Sequence, residues 1–290
     1  MRSLVAFLGI GTAAIALMSP LYAASAPQMT SWDSEQNGSP KTYNLGGYKL
    51  TLTAKKNGDQ MMEPWLAVTA PDMPPLSLQG QGAGDVARAD FTVVKFAPKQ
   101  QPSVVFTSYS GGAHCCVEVQ VAQPVGKAWK KINLGSWDGG SIEAPRDVNG
   151  DGVTDFVFVD NAFLYAFDSY AASWAPPLVM NVANGKGVNV STAKRYAALY
   201  RADMEKTKPE CAKHQNGACA AYVADAARIG QFDEVWSFML ANYDQKSEWT
   251  YPTRCNGAKV DYQCKGTETK PKDYPEALRW FLEDNGYIKK

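Results

Sequence analysis

Histidine is nearly absent: two stand in 290 residues. Neither lies in a serine-hydrolase or metallohydrolase motif, and there is no G-x-S-x-G, no H-E-x-x-H and no phosphate-binding P-loop. Hydrolysis needs a nucleophile, a base and an orienting group, so these absences exclude the common hydrolase designs. A cysteine beside a base is what they leave. Excess charge of one sign is lacking too. Lysine and arginine total 29, as do aspartate and glutamate, and removing Arg2 leaves 28 against 29. Nothing in that balance selects nucleic acid or an acidic membrane surface as partner. After residue 18 no stretch approaches the ~20 apolar residues of a spanning helix, and no cysteine follows the first apolar run to carry a lipid.

What the chain has at its start is an export signal. Arg2 supplies the positive charge, Leu4 to Met18 is uncharged and apolar, and small residues gather at Ala23, Ala24, Ser25 and Ala26, which is the three-part pattern of a secretory leader. Cleavage is expected after Ala23 or Ala24, with no membrane span left afterwards and a periplasmic or secreted location. The expected division is 1–23 signal peptide, 24–42 disordered leader, 43–186 β-rich calcium-loop domain and 187–290 helical region.

All six cysteines fall in the mature part. Export makes disulfides the default, with about 15 connectivities open. The local pairs are Cys211 with Cys219 and Cys255 with Cys264. From Tyr43 onward the pattern alternates, as in Tyr48, Leu50 and Leu52 against Lys49 and Thr51, and Asn57-Gly58 marks a hairpin. Further strands are expected at Trp65–Thr69, Phe91–Phe96, Ser103–Tyr109, Val117–Ala122, Asp155–Asp160 and Phe163–Phe167. After Ser191 the period turns helical. Phe232, Val235, Trp236, Met239, Leu240 and Tyr243 form a stripe read as core. Gly230 separates that helix from one over Cys219–Arg228, and a last helix starts at Asp273 with Glu276 as its capping partner. The fold class is α+β: an N-terminal β-rich domain, a shortened propeller-like array or a sandwich, followed by a small disulfide-pinned helical region.

The sharpest motif runs from Asp147 to Asp155, D-V-N-G-D-G-V-T-D. Calcium takes six to eight hard oxygens in a flexible shell. Oxygen side chains at alternate positions converge when the backbone curls, Gly152 permits the bend, and the apolar run after Asp155 reads as a strand and not as an EF-hand helix. The motif resembles the calcium loops of FG-GAP and VCBS-type repeats. That resemblance implies a structural calcium held by Asp147, Asn149, Asp151, Val153 and Asp155, between strands of a propeller-like blade.

Ser110-Gly111-Gly112-Ala113-His114-Cys115-Cys116 is the most unusual stretch, and it resembles a run in uncharacterised exported bacterial proteins that also carry FG-GAP-like loops. If a strand runs through it, His114, Cys116 and Glu118 share one face. Three readings stand. The face could form a second metal or redox site from His114, Cys115, Cys116 and Glu118; Cys115 and Cys116 could form a vicinal disulfide; or one of them could pair with a distant cysteine while His114 packs. His214, inside Cys211-x-x-His-x4-Cys219, reads as an exposed loop residue. Together these features point to an exported, calcium-stabilised binding or structural protein with an unknown protein or carbohydrate ligand. The alternative is a thiol- or metal-dependent enzyme or redox protein using His114 with Cys115 or Cys116.

Overall fold

The computed structural model describes residues 27–112, 115–260 and 263–290, leaving out the side chains of Cys115 and Lys259. The expected signal peptide and His114 lie outside the described residues. The architecture is α+β. Its β part is a stack of three antiparallel sheets. Strands β2 (Lys41–Leu45), β3 (Tyr48–Lys56), β4 (Met62–Thr69) and β5 (Leu76–Gln79) form the first sheet in simple meander order. The second sheet has the order β1-β6-β7-β8-β9, built from Thr30–Asp33, Arg88–Val94, Ser103–Tyr109, Cys115–Val125 and Ala128–Asp138. The third comprises β10 (Asp155–Val159), β11 (Pro177–Ala183) and β12 (Lys186–Asn189).

Alternation explains the stacking. On the second sheet Ala89, Phe91, Val104 and Phe106 face the first, where they pack with Leu50, Leu52, Leu66 and Val68. Val94, Val105, Val119 and Val121 point the other way, onto Phe156, Phe158 and Val182 of the third. A strand buried on both faces loses its polar alternation, and β7 is buried from Ser103 through Ser108. Trp137 seals the second interface by stacking on Phe158 with ring centroids 4.0 Å apart. No sheet among the described residues closes on itself.

The structure corrects two expectations. Residues 24–42 are not a disordered leader throughout. Thr30–Asp33 pairs antiparallel with β6, and Trp32 is 1% exposed while its indole N–H donates to the Gly38 carbonyl. One buried tryptophan outweighs the polar composition around it, because full burial of such a ring is worth several kcal/mol. Residues 163–167 are not a strand. A 3-10 turn at Asn161–Phe163 sends Phe163 and Phe167 into the helical core instead.

The helical region contains α1 (Ala197–Cys211), α2 (Asn216–Arg228), α3 (Phe232–Asn242) and α4 (Tyr274–Asp284), with short hairpin strands at Arg254–Asn256, Lys259–Val260, Gln263–Cys264 and Thr267–Thr269 between the last two helices. Alanine-rich α2 is buried from Asn216 to Ala226 and is its centre, as a helix apolar on every side must be. The stripe on α3 is only partly core: Val235 and Met239 are buried, whereas Leu240 is 42% exposed. Gly230, at φ +75°, turns the chain between α2 and α3. Asp273 caps α4 by accepting the Glu276 N–H at 2.9 Å. The disulfides Cys211–Cys219 and Cys255–Cys264 are both present. No described helix is long and apolar enough to cross a membrane.

Candidate functional site

The 147–155 loop joins the second and third sheets, and its curl rests on Gly150 and Gly152, at φ +79° and +81°. Asp147 turns inward. One carboxylate oxygen accepts the amides of Asn149, Gly150 and Asp151, and the other accepts that of Gly152. Burial raises the pKa of this carboxyl, but the four amides outweigh it and hold the group below its ordinary range. Asn149 and Asp151 each accept the amide two residues on.

Asp155 opens β10 and is 1% exposed. One oxygen accepts from Asn181 Nδ2 at 2.5 Å and Tyr196 Oη at 2.7 Å, and the other accepts the Val148 amide at 3.1 Å. Burial first, then the Asp155 carboxylate, push the Tyr196 hydroxyl pKa upward. Arg195 reaches Asp151 at 3.2 Å. Consecutive residues entering α1 therefore grip the acidic loop, one as a cation and one as a hydroxyl donor.

The five expected ligands have the right chemistry for calcium, being hard oxygens on a curled loop. In this structure the carboxylates of Asp147 and Asp155 accept hydrogen bonds from protein donors, and Asp151 faces a guanidinium.

The described residues on either side of Ala113 and His114 are tied together where β7 ends and β8 begins. Ser110 N–H donates to the Cys116 carbonyl at 2.9 Å, and Ser110 Oγ receives the Cys116 amide at 3.1 Å. Gly111 and Gly112 take φ +85° and +105°, and the Tyr109 hydroxyl donates to the Gly112 carbonyl. Cys116 is disulfide-bonded, so its sulfur is not a thiolate for metal or nucleophilic work in this form. Glu118 accepts from Asn133 Nδ2 at 3.1 Å. His214 is exposed, with Nδ1 2.7 Å from the Asn242 carbonyl.

Beside this run lies a cleft of about 590 Å³. Tyr109 and Val117, which flank the run, both line it. Residues of β1, β6, β7 and β8 in the second sheet line it. Ser31, Asp90, Thr107 and Val119 lie opposite one another across four strands, so polar residues continue the face that Val105 and Val119 make apolar. Ser31 Oγ donates to Asp90 at 2.5 Å, and Arg88 pairs with Asp33 at 2.9 Å. Burial opposes ionisation of Asp33, yet Arg88 and the amides of Gln36 and Glu35 hold its pKa below the usual range. Gly140 and Ser141 overhang the opposite side. Sequence reading missed these residues. The available signal was Asp90 and Thr107 at positions whose alternation matches buried valines.

Stacked sheets feeding a disulfide-bonded helical region define an extracytoplasmic α+β protein, periplasmic or secreted. Such disulfides persist in oxidising compartments. The family described as the sll0997 C-terminal domain matches residues 193–286, the segment that begins just before Arg195 and carries all four helices. The chain is similar to a probable thylakoid lumen protein, sll0997, of Synechocystis, 42% identical over 195 residues, covering 64% of this chain and 57% of that protein. It is also similar to the uncharacterized protein y4bJ of Sinorhizobium fredii, 28% identical over 267 residues, covering 88% of this chain and 41% of that protein. The chain thus spans about half the length of these relatives. No solved structure matches it.

Proposed function

We propose that the protein is an extracytoplasmic binding module whose ligand seats in the cleft beside Ser110–Cys116. The observation that carries this reading is the cleft itself. At about 590 Å³ it falls within the ~300–1,000 Å³ of small-molecule sites. Convergent polar side chains floor it on rigid strands, where a sandwich interior would be apolar. Screening amide shifts by NMR against a mixed small-fragment library tests it. Shifts should concentrate at Ser31, Asp90, Thr107 and Tyr109. Fragments that map elsewhere, or nowhere, would refute the assignment.

Calcium stabilisation belongs to the same proposal, and the D-x-N-x-D-G-x-x-D spacing with its resemblance to FG-GAP and VCBS-type loops supports it. Because Asp151 pairs with Arg195, the ion enters only in place of that guanidinium. Extracellular modules bind with Kd of about 10⁻⁴–10⁻³ M, and a tenfold excess over Kd adds roughly 1.4 kcal/mol. Calcium at that excess should raise the melting temperature by a few degrees, and by more in Arg195→Gln, where the competitor is gone. Melts of both proteins in calcium and in chelator decide it. If neither protein responds, the loop is a self-satisfied turn neutralised by Arg195.

A further inference from the structure

We infer that the cleft takes a neutral saccharide, an inference that rests on the binding reading above. The charges come first. Asp33, Asp90 and Arg88 are the charged residues of the wall, and Arg88 is paired with Asp33. What is left is the single negative charge of Asp90, which repels anionic ligands across a concave surface.

The rest of the wall separates a polyol from a cation. Ser31 and Ser141 present hydroxyls, and Gln36 and Asn37 present carboxamides. Each such group both donates and accepts, whereas an ammonium only donates. A wall of this kind is matched by a ligand whose own groups do both at close spacing, which is the chemistry of a sugar ring. Asp90 adds a strong acceptor. Ser31 engages its Oδ1 from one side, and the carboxylate has about four acceptor sites, leaving room for a pair of neighbouring ring hydroxyls.

The site is also preorganised. Thr107 is 1% exposed and its hydroxyl donates to the Asp90 carbonyl at 3.3 Å. The Asp33 side chain caps its own turn through the amides of Glu35 and Gln36, which fixes the β1 end of the wall. Side chains already ordered on strands lose little freedom when a ligand arrives.

The experiment is saturation-transfer NMR with titration calorimetry on the full mature chain. The probes are neutral trisaccharides of glucose, galactose and N-acetylglucosamine, with putrescine as the cation and a trimer of galacturonate as the anion. At least one neutral trisaccharide should bind in the millimolar range or tighter. Asp90→Asn should weaken it by about tenfold or more, the size of one hydrogen bond to a charged acceptor. Ser141→Ala, at an exposed lining position, should weaken it as well while leaving the circular dichroism spectrum unchanged, which guards against a misfolded Asp90 variant. Arg279→Gln, on the exposed side of α4, should leave affinity as in wild type. Binding of putrescine or galacturonate alone would overturn the ligand class. So would neutral sugars that bind both cleft variants at wild-type affinity. If fragments map to the cleft but no sugar binds, the class fails and the binding site stands; if neither binds, both fall.

Discussion

Asp155→Ala should lower stability by about 3–5 kcal/mol, since two buried donors and one half-buried donor lose their acceptor at once and each orphan costs roughly 1–3 kcal/mol. Those donors are the Tyr196 hydroxyl, the Asn181 amide and the Val148 N–H. At a few degrees per kcal/mol for a chain of this size, the melting temperature should fall by roughly 10 °C. Asp155→Asn, which keeps one acceptor oxygen, should lose less. Tyr196 begins the helical region and Asn181 lies in the third sheet, so this carboxylate ties three parts together. Melting within two or so degrees of wild type would show that the tie is not structural.

Asp225→Asn should act in the opposite direction. Asp225 lies in the middle of α2, fully buried, and neither carboxylate oxygen has a hydrogen-bond partner. Burial, then the neighbouring Asp203 of α1, drive its pKa well above the ordinary value of 3.8, while Arg228 of α2 and Lys206 of α1 pull weakly the other way. Burial and the like charge of Asp203 both favour the neutral acid, so Asp225 keeps its proton in the fold. The native state thus holds a proton that the unfolded chain has released. This contribution is fully present below pH ~4 and is lost progressively as pH rises toward the folded-state value. An amide is uncharged at every pH and escapes that loss. The variant should therefore match wild type near pH ~4 and exceed it at neutral pH by about 1–3 kcal/mol. Denaturant melts across that range check both parts, and a stability difference that does not change with pH would show that Asp225 is charged in the fold.

Much of the fold was legible. Alternation from Tyr48 to Leu52 and the turn at Asn57-Gly58 marked the β3–β4 hairpin, and Asp273 with Glu276 marked the start of α4. In detail, Glu276 closes its half of the cap on the Lys272 N–H at 2.7 Å. Short sequence separation made both cysteine pairs readable. The acidic loop was expected between strands of a propeller-like blade; it joins the second and third sheets, and the partners of its carboxylates were not foreseen. Arg195, Tyr196 and Asn181 lie 26 to 44 residues downstream of the loop residues they hold, and no local pattern announces such contacts. Strand β1 was missed because its anchor is one tryptophan among polar residues.

The sequence alone determined what depends on neighbours along the chain: the class of most segments, the turns and caps, the two short-range disulfides, and the lack of charge that favours nucleic acid. Period and capping are set by residues within a turn or two of one another, so they can be read locally. Only the tertiary structure decided which faces meet. Asp90 and Thr107 look like ordinary polar strand positions until the folded sheets place them at the cleft. Asp147, Asp151 and Asp155 read as a cation's ligands from their spacing, and only the fold shows which amides, and that Arg195 and Tyr196, also reach them. Stacking and long-range capture depend on how whole surfaces exclude water against one another, and no single stretch of chain carries that information.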